Sequence, residues 1–192
     1  MKKLSFFVFG LTVLFSMQSA SASCPAAFTD ASEIPSESEA SICELVSQNV
    51  ITGTGSFRPS EQMERGFIAK WLVLASGKSI DTTGGPHFSD IPETDELYEY
   101  IETAYNVGLL NGYPDGQFRK DVGINRAEIA KMVVNAFNIP QDLTGAPHFD
   151  DVTEGDWFFG FIETVYNNLL MDSTGVGTFD PADPISRAGT AE

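Results

Sequence analysis

Basic residues are scarce in this sequence. Its 192 residues include 11 Lys and Arg against 27 Asp and Glu, which gives a formal net charge of −16 at pH 7. A chain this acidic is repelled by the phosphates of nucleic acids and by anionic lipid headgroups. The composition therefore argues against nucleic acid and membrane surfaces as partners. If the chain binds an anion, we expect it to gather its few cations at that site.

Cysteine and histidine are rarer still, with two residues of each. Two cysteines and two distant histidines do not make a zinc-ligand pattern, and the Asp and Gly residues of 113–116 lack EF-hand spacing. There is no Ser-His-Asp signature or phosphate-binding glycine loop, and among 27 acidic residues some carboxylates would lie close together by chance. We predict no metal, no cofactor and no catalytic site in these residues. The alternative that a longer parent protein carries a catalytic region elsewhere is left open.

Long apolar runs are also lacking, apart from Leu4–Met17. Lys2 and Lys3 precede this run, and small residues ending in Ala-Ser-Ala follow it. The pattern predicts a secretory signal peptide at 1–22 with cleavage before Ser23. The alternatives are a retained membrane anchor, for which the run is short, and lipidation of Cys24. After cleavage we expect no membrane insertion.

Export has two consequences for the mature chain. Loss of two lysines and no acids lowers the formal net charge from −16 to −18. Cys24 and Cys43 would meet oxidising conditions, and we predict a disulfide between them. With 15 Phe, the chain has ample aromatic content for a packed core.

A short segment recurs three times. Its clearest copy is 111–131, where a Pro-Asp-Gly turn and a phenylalanine lead into a helix start. A spacing of eight residues separates Phe from Arg in each copy: Phe57 and Arg65, Phe118 and Arg126, Phe179 and Arg187. Each copy also has F-x-D upstream, at Phe28, Phe88 and Phe149, which are 60 and 61 residues apart. Such a period marks a tandem repeat.

The repeats predict the fold. We place them at 23–79 (degenerate), 86–140 and 147–192 (incomplete), in one domain with one shared core. In each, apolar spacing indicates a loop, a helix, a glycine-rich turn and a second helix, so the fold is all-α. We predict that the first helices carry Gly108 in repeat 2, and Trp157 and Leu169 in repeat 3. Asn125 and Glu128 have capping-box spacing. Because the chain stops one turn into its last helix, we expect a fragment or shortened product.

The repeated pattern resembles the S-layer homology domain. The resemblance is carried by Phe88–Asp90, Gly112–Phe118 and Ile124–Glu128, and it extends over nearly the whole mature chain. It implies a pseudo-threefold arrangement in which one helix of each repeat joins a central helical bundle. It also implies a secreted protein held non-covalently at the bacterial cell wall or cell surface. The implied partner is secondary cell-wall polysaccharide, often pyruvylated, or modified peptidoglycan.

The resemblance further implies that ligands bind in grooves between repeats, centred on the arginine of a T-R-A-E motif. By position these arginines are Arg65, Arg126 and Arg187. An Arg in the first helical turn would add a planar cationic fork to the anion-favouring end of the helix, which suits a pyruvate carboxylate. A salt-bridge role is the structural alternative. Phe67 and Gly189 depart from the motif's glutamate.

Trp157, Asp90 and Asp151 complete the candidate ligand-binding residues. Trp157 is the only aromatic at its repeat position, so either sugar stacking or a place in the core or groove wall would explain it. For the two aspartates the alternative is a turn or a helix cap. The second hypothesis for the whole chain is an envelope self-assembly protein whose repeats bind other protein subunits.

Overall fold

The computed structural model describes Cys24 and residues 27–192. The predicted signal peptide and its cleavage site lie outside these described residues. The described part contains six α-helices, and its extended segments pair only through isolated bridges. The all-α prediction is confirmed. None of these helices has the length and apolar content that a membrane crossing requires.

The helices come in pairs, one pair in each repeat. They are α1 (Glu39–Ser47) and α2 (Arg65–Ala75), α3 (Tyr98–Asn106) and α4 (Arg126–Ala136), and α5 (Phe159–Asn167) and α6 (Arg187–Ala191). The predicted first helices were too long: Trp157 precedes α5, while Gly108 and Leu169 follow α3 and α5. Gly108 and Leu169 have φ of 77° and 57°. This left-handed backbone ends a helix.

Side-chain caps begin two of the three second helices. At α4 the capping box predicted from sequence is confirmed: Glu128 N donates to Asn125 Oδ1, and Asn125 N donates to Glu128 Oε2, both at 2.9 Å. At α6, Gly189 N donates to Ser186 Oγ at 3.1 Å. Glu64, which precedes α2, makes no such bond, so the start of α2 depends on contacts with another repeat.

The F-x-D aspartates fold the loop that leads to each second helix. Asp90 accepts hydrogen bonds from Phe118 N at 2.8 Å and Arg119 N at 2.7 Å. The same two backbone positions in the other repeats donate to Asp30 and Asp151. Three phenylalanines are thereby held in the core with 1% or less of their surface exposed: Phe57, Phe118 and Phe179.

The three loops join in a ring. Met63 N donates to Ile185 O at 2.8 Å, Ile185 N donates to Ile124 O at 3.3 Å, and Ile124 N donates to Met63 O at 2.9 Å. Helix packing follows the same order, because α2 packs on α3, α4 on α5, and α6 on α1. We infer from this ring that the repeats surround one axis.

The apolar interior is divided, which corrects the expectation of one shared core. The larger cluster is built from repeats 1 and 2 together with Ile185 and Ala188 of repeat 3. The smaller cluster joins one face of α4 to Phe149, Ile162 and the rest of repeat 3. Partly buried Met171 packs against both clusters. The division arises because α4 presents apolar side chains both to repeat 1 and to repeat 3.

The predicted disulfide is present between Cys24 and Cys43, whose Cα atoms are 5.7 Å apart. It ties the first described residue to α1. In this small, loop-rich first repeat, closing a loop across 19 residues restricts the unfolded chain and so stabilises the folded one.

Two buried glutamates organise the linkers that enter repeats 2 and 3. Glu102 on α3 and Glu163 on α5 have no exposed surface. Each accepts the backbone N–H of a histidine at 3.0 Å and contacts that ring's Nδ1 at 2.5 Å, from His87 and His148 respectively. The repeated Pro-His pair is therefore part of the loop structure.

Candidate functional site

Each repeated arginine is the first residue of a second helix and reaches into the loop of another repeat. Arg65 Nε donates to Phe118 O at 3.2 Å, Arg126 Nε donates to Phe179 O at 2.7 Å, and Arg187 Nε donates to Phe57 O at 2.8 Å. The guanidinium carbons lie 4.9, 4.3 and 5.4 Å from the ring centroids of those phenylalanines. The arginines therefore join repeat 1 to 2, 2 to 3, and 3 to 1.

Two of the arginines donate a second hydrogen bond to a backbone carbonyl. Arg65 Nη2 donates to Asn111 O at 2.9 Å, and Arg126 Nη2 donates to Asp172 O at 2.6 Å. Arg187 faces the shortened turn of repeat 1 and instead lies 5.1 Å from the ring of Phe67. Arg65 and Arg126 thus use two guanidinium nitrogens within the protein and Arg187 uses one, while Arg65 and Arg187 are only 7% exposed.

The N-termini of α2, α4 and α6 favour a bound anion less than we expected from the sequence. Arg65 N and Gly66 N donate to Val122 O and Lys120 O at 3.0 and 2.8 Å. The first two amides of α4 and of α6 donate in the same way to carbonyls of repeats 3 and 1. Because these N–H groups are already bonded, the expected anion-binding helix end is corrected to an inter-repeat junction.

Three pockets lie at the boundaries between repeats, and each is lined by one of these arginines. The Arg65 groove, of about 160 Å³, also includes Lys131, Trp157, Leu110 and Asn111. The Arg187 groove, of about 150 Å³, includes Lys70, Trp71 and Ile51. The Arg126 groove, of about 240 Å³, includes Asp172, Met171 and Glu192. Each groove combines an arginine of one repeat with a helix of another.

Burial lowers the pKa of the Arg126 and Arg187 guanidinium groups from the ordinary arginine value. Nearby carboxylates act to raise the pKa at both sites. The largest such effect comes from Asp180 at Arg126 and from Glu61 at Arg187. At Arg187 the neighbouring Arg58 adds to the lowering. Arginine titrates so far above neutral pH that both stay charged.

Comparison with known proteins identifies the repeated pattern. The pattern of the S-layer homology domain matches residues 27–66, 87–130 and 148–188. These matches cover more than half of the chain. The chain belongs to the S-layer homology domain family. Membership places it at the cell wall or cell surface, in an anchoring or surface-layer role, as the sequence predicted.

Curated relatives of this S-layer homology chain are much longer proteins. Cell surface glycoprotein 1 of Acetivibrio thermocellus is 32% identical over 146 residues, which is 70% of this chain and 6% of that protein. An S-layer protein of Bacillus licheniformis is 28% identical over 80% of this chain and 18% of its own length. An endoglucanase of Bacillus sp. strain KSM-635 is 26% identical over 79% and 16%. The chain therefore spans less than a fifth of each of these three relatives.

The S-layer homology grooves bring together some of the predicted site residues. Trp157 is 56% exposed and lies in the Arg65 groove, although it belongs to repeat 3. Lys131 Nζ is 5.3 Å from its ring centroid. Trp157 thus forms part of the groove wall, and more than half of its surface is open to solvent. That groove draws residues from all three repeats.

The structure places Asp90 and Asp151 outside the residues that line the three grooves. Each carboxylate receives the two backbone N–H groups described above. At the equivalent Asp30, desolvation acts to raise the pKa, but hydrogen bonds from Phe57 N, Ser56 Oγ and Arg58 N outweigh it and lower the pKa to about 2. These aspartates act on the grooves by holding the loops whose carbonyls receive the arginines.

Sequence reasoning missed two groove residues, Lys70 and Lys131. Both follow a repeated arginine by five positions, in Arg65–Lys70 and Arg126–Lys131. A spacing of five residues places each lysine more than one helical turn beyond the arginine of the same helix. Each of these helices therefore lines two grooves: α2 supplies Arg65 to one and Lys70 to another, and α4 supplies Arg126 to one and Lys131 to another. The R-x-x-x-A-K pattern that these two segments share is the sequence signal that could have identified both lysines.

Proposed function

We propose that this chain anchors an exported protein to the cell wall non-covalently, by binding an acidic wall glycan in the grooves between its repeats. The glycan class is secondary cell-wall polysaccharide or modified peptidoglycan, with a pyruvate ketal as a fitting acidic group. One observation carries the proposal. In a chain of net charge −16, five of the 11 Lys and Arg line three inter-repeat pockets.

The Arg65 groove has the chemistry that an acidic sugar needs. Arg65 and Lys131 supply positive charge for a carboxylate. Asn111 and Asn135 offer amides to sugar hydroxyls, while Leu110 provides an apolar contact for a ketal methyl group. The exposed ring of Trp157 is available for stacking on the apolar face of a pyranose.

The arginines would act in two ways at once. Their Nε groups hold the next repeat in place, and the part of the guanidinium that is not bonded to carbonyls faces the groove. Every buried side-chain nitrogen and oxygen in the described part of the chain has a hydrogen-bond partner, so the remaining guanidinium nitrogens are open to solvent or ligand. In this proposal Asp90 and Asp151 position the groove and do not touch the glycan.

Co-sedimentation of the purified protein with purified sacculi of its source organism tests the proposal. We expect the wild type to pellet with the walls. Trp157→Ala should weaken binding about three- to tenfold through loss of stacking, and Arg65→Ala about tenfold or more. Lys78→Ala is the control, because Lys78 is a cation that lines none of the three grooves, and it should change affinity less than twofold.

Wild-type protein that stays in the supernatant would overturn the anchoring proposal. Because Arg65 is nearly buried, its variant must first show a wild-type circular dichroism spectrum. Trp157→Ala does not share this risk, since the side chain is largely exposed.

The alternative of self-assembly draws on one observation. Leu169 and Val176 of repeat 3 are exposed apolar side chains, at 86% and 103% of their reference surface. Such side chains favour protein contacts. Sedimentation velocity without walls separates the two functions, because a wall binder stays monomeric whereas an assembler forms oligomers or sheets.

A further inference from the structure

We propose that the grooves divide by charge: the Arg187 and Arg65 grooves bind the carboxylate groups of an acidic glycan, whereas the Arg126 groove does not. The residue five positions after each repeated arginine decides this, and these residues are Lys70, Lys131 and Glu192. The inference rests on the proposed glycan-binding function and assigns its ligand-selecting residues.

The arginines themselves cannot distinguish the grooves. All three donate Nε to the backbone carbonyl of an equivalent phenylalanine and lie on that residue's ring. Their charge is present in every groove and is partly engaged by the carbonyl dipoles. The difference in charge between the grooves therefore comes from the other charged groups that line each pocket.

Lys70 and Lys131 are the cations that remain free for a ligand. Neither ammonium group forms an ion pair with a carboxylate in the described part of the chain. Lys70 Nζ lies 5.2 Å from the ring centroid of Tyr100, and Lys131 Nζ lies 5.3 Å from that of Trp157. An aromatic face orients an ammonium group without cancelling its charge. Each lysine therefore presents a whole positive charge at the groove.

The full set of charges differs from groove to groove. The Arg187 groove is lined by two cations, Arg187 and Lys70, and by no carboxylate. The Arg65 groove has two cations and Glu128, whose Oε2 is engaged by Asn125 N in the capping box. The Arg126 groove has one cation and two carboxylates, Asp172 and Glu192. Only the last groove has a net negative lining.

A hydrogen bond holds the Glu192 carboxylate, which lines the Arg126 groove. Glu192 occupies the position that Lys70 and Lys131 occupy in their repeats, and its Oε1 accepts from the buried Ser38 Oγ at 2.5 Å. An incoming carboxylate would meet the negative charges of Asp172 and Glu192, which line the pocket together with Arg126. How well a repeat preserves the motif therefore does not predict how well its groove binds a carboxylate. The best-preserved motif contains Arg126, which lines the pocket least favourable to a carboxylate.

Reversal of single charges tests the inference on sacculi. Lys70→Glu and Lys131→Glu should each lower affinity at least tenfold, while Glu192→Lys should maintain or raise it. Lys78→Glu makes the same change in net charge on a lysine outside the grooves, and it should stay within twofold of wild type. When wall carboxylates are converted to neutral amides with carbodiimide and ethanolamine, the difference between Lys131→Glu and Lys78→Glu should disappear.

The inference is overturned if wild type binds the walls and Lys70→Glu and Lys131→Glu bind as Lys78→Glu does. In that case the anchoring function would survive alone. A second measurement does not depend on walls: NMR titration with a methyl hexopyranoside carrying a 4,6-pyruvate ketal. We expect saturable shifts of the indole N–H signals of Trp71 and Trp157, lost in the corresponding lysine variants, and none at Met171 in the Arg126 groove. Absence of shifts at both indoles, or equal shifts at Met171, would refute the division by charge.

Discussion

Asp30 offers the sharpest test of how the repeat loops are held. Its carboxylate accepts from Phe57 N at 2.8 Å, Arg58 N at 2.7 Å and Ser56 Oγ at 2.7 Å. An Asn side chain in its place would keep one acceptor but turn an NH₂ donor toward the backbone amides. Asp30→Asn should therefore release the loop that carries Phe57 O, which is the acceptor of Arg187 Nε.

The magnitude follows from the pKa. Folding lowers the pKa of Asp30 from 3.8 to about 2. At 1.36 kcal/mol per pKa unit this difference corresponds to about 2.4 kcal/mol, and solvent screening of the partly exposed carboxylate reduces its contribution to the free energy of unfolding to about 2 kcal/mol. Because the folded-state pKa is depressed, this contribution is complete above pH 3.8 and is lost as the pH falls through about 2.

Urea unfolding at a series of pH values checks this. At pH 7 Asp30→Asn should be less stable than wild type by about 2 kcal/mol, and the gap should close progressively below pH 4. Glu33→Gln is the matched control, because Glu33 is an exposed carboxylate on the adjoining 3-10 helix. A gap that stays constant from pH 7 to pH 2, or no gap at pH 7, would show that these hydrogen bonds do not stabilise the charged form.

Three further predictions concern stability, each measured by urea or thermal unfolding. Leu169→Gly should raise the free energy of unfolding by about 1 kcal/mol, because Leu169 has a φ of 57° and is 86% exposed, so little packing is lost; Leu170→Gly is the control and should not stabilise. Cys43→Ser should lower the free energy of unfolding by about 3 kcal/mol through loss of the disulfide, and a reducing agent should have that effect on wild type but none on the variant. Phe118→Ala should cost about 3–5 kcal/mol, since the ring has no exposed surface; a cost below 1 kcal/mol would contradict its place in the core.

Local features of the fold were predictable because their causes lie within a few residues. The capping box at Asn125 needs only Glu128 three positions later, and the F-x-D and Phe-to-Arg spacings recur with the repeat. Helix ends were less predictable. Trp157 and Leu169 have apolar side chains at helical spacing from α5, but the left-handed backbone at Leu169 ends the helix where the apolar pattern continues.

The candidate site was predicted in part. The three arginines were identified from their motif position, and all three line grooves. Their hydrogen bonds were not foreseeable, because the acceptors of Arg65 lie 46 and 53 residues away in another repeat. Lys70 and Lys131 were overlooked for the same reason: each completes a groove whose arginine comes from a different repeat.

The sequence by itself determined the repeat, the helical pairs and the family, because each depends on spacing along the chain. It also determined the disulfide partners, because the chain has two cysteines. Only the tertiary structure decided how the repeats close. The ring through Met63, Ile124 and Ile185 brings α6 against α1 and pairs each arginine with a helix of another repeat. Three similar motifs thereby line grooves of different charge, because packing across the ring sets which residues share a pocket.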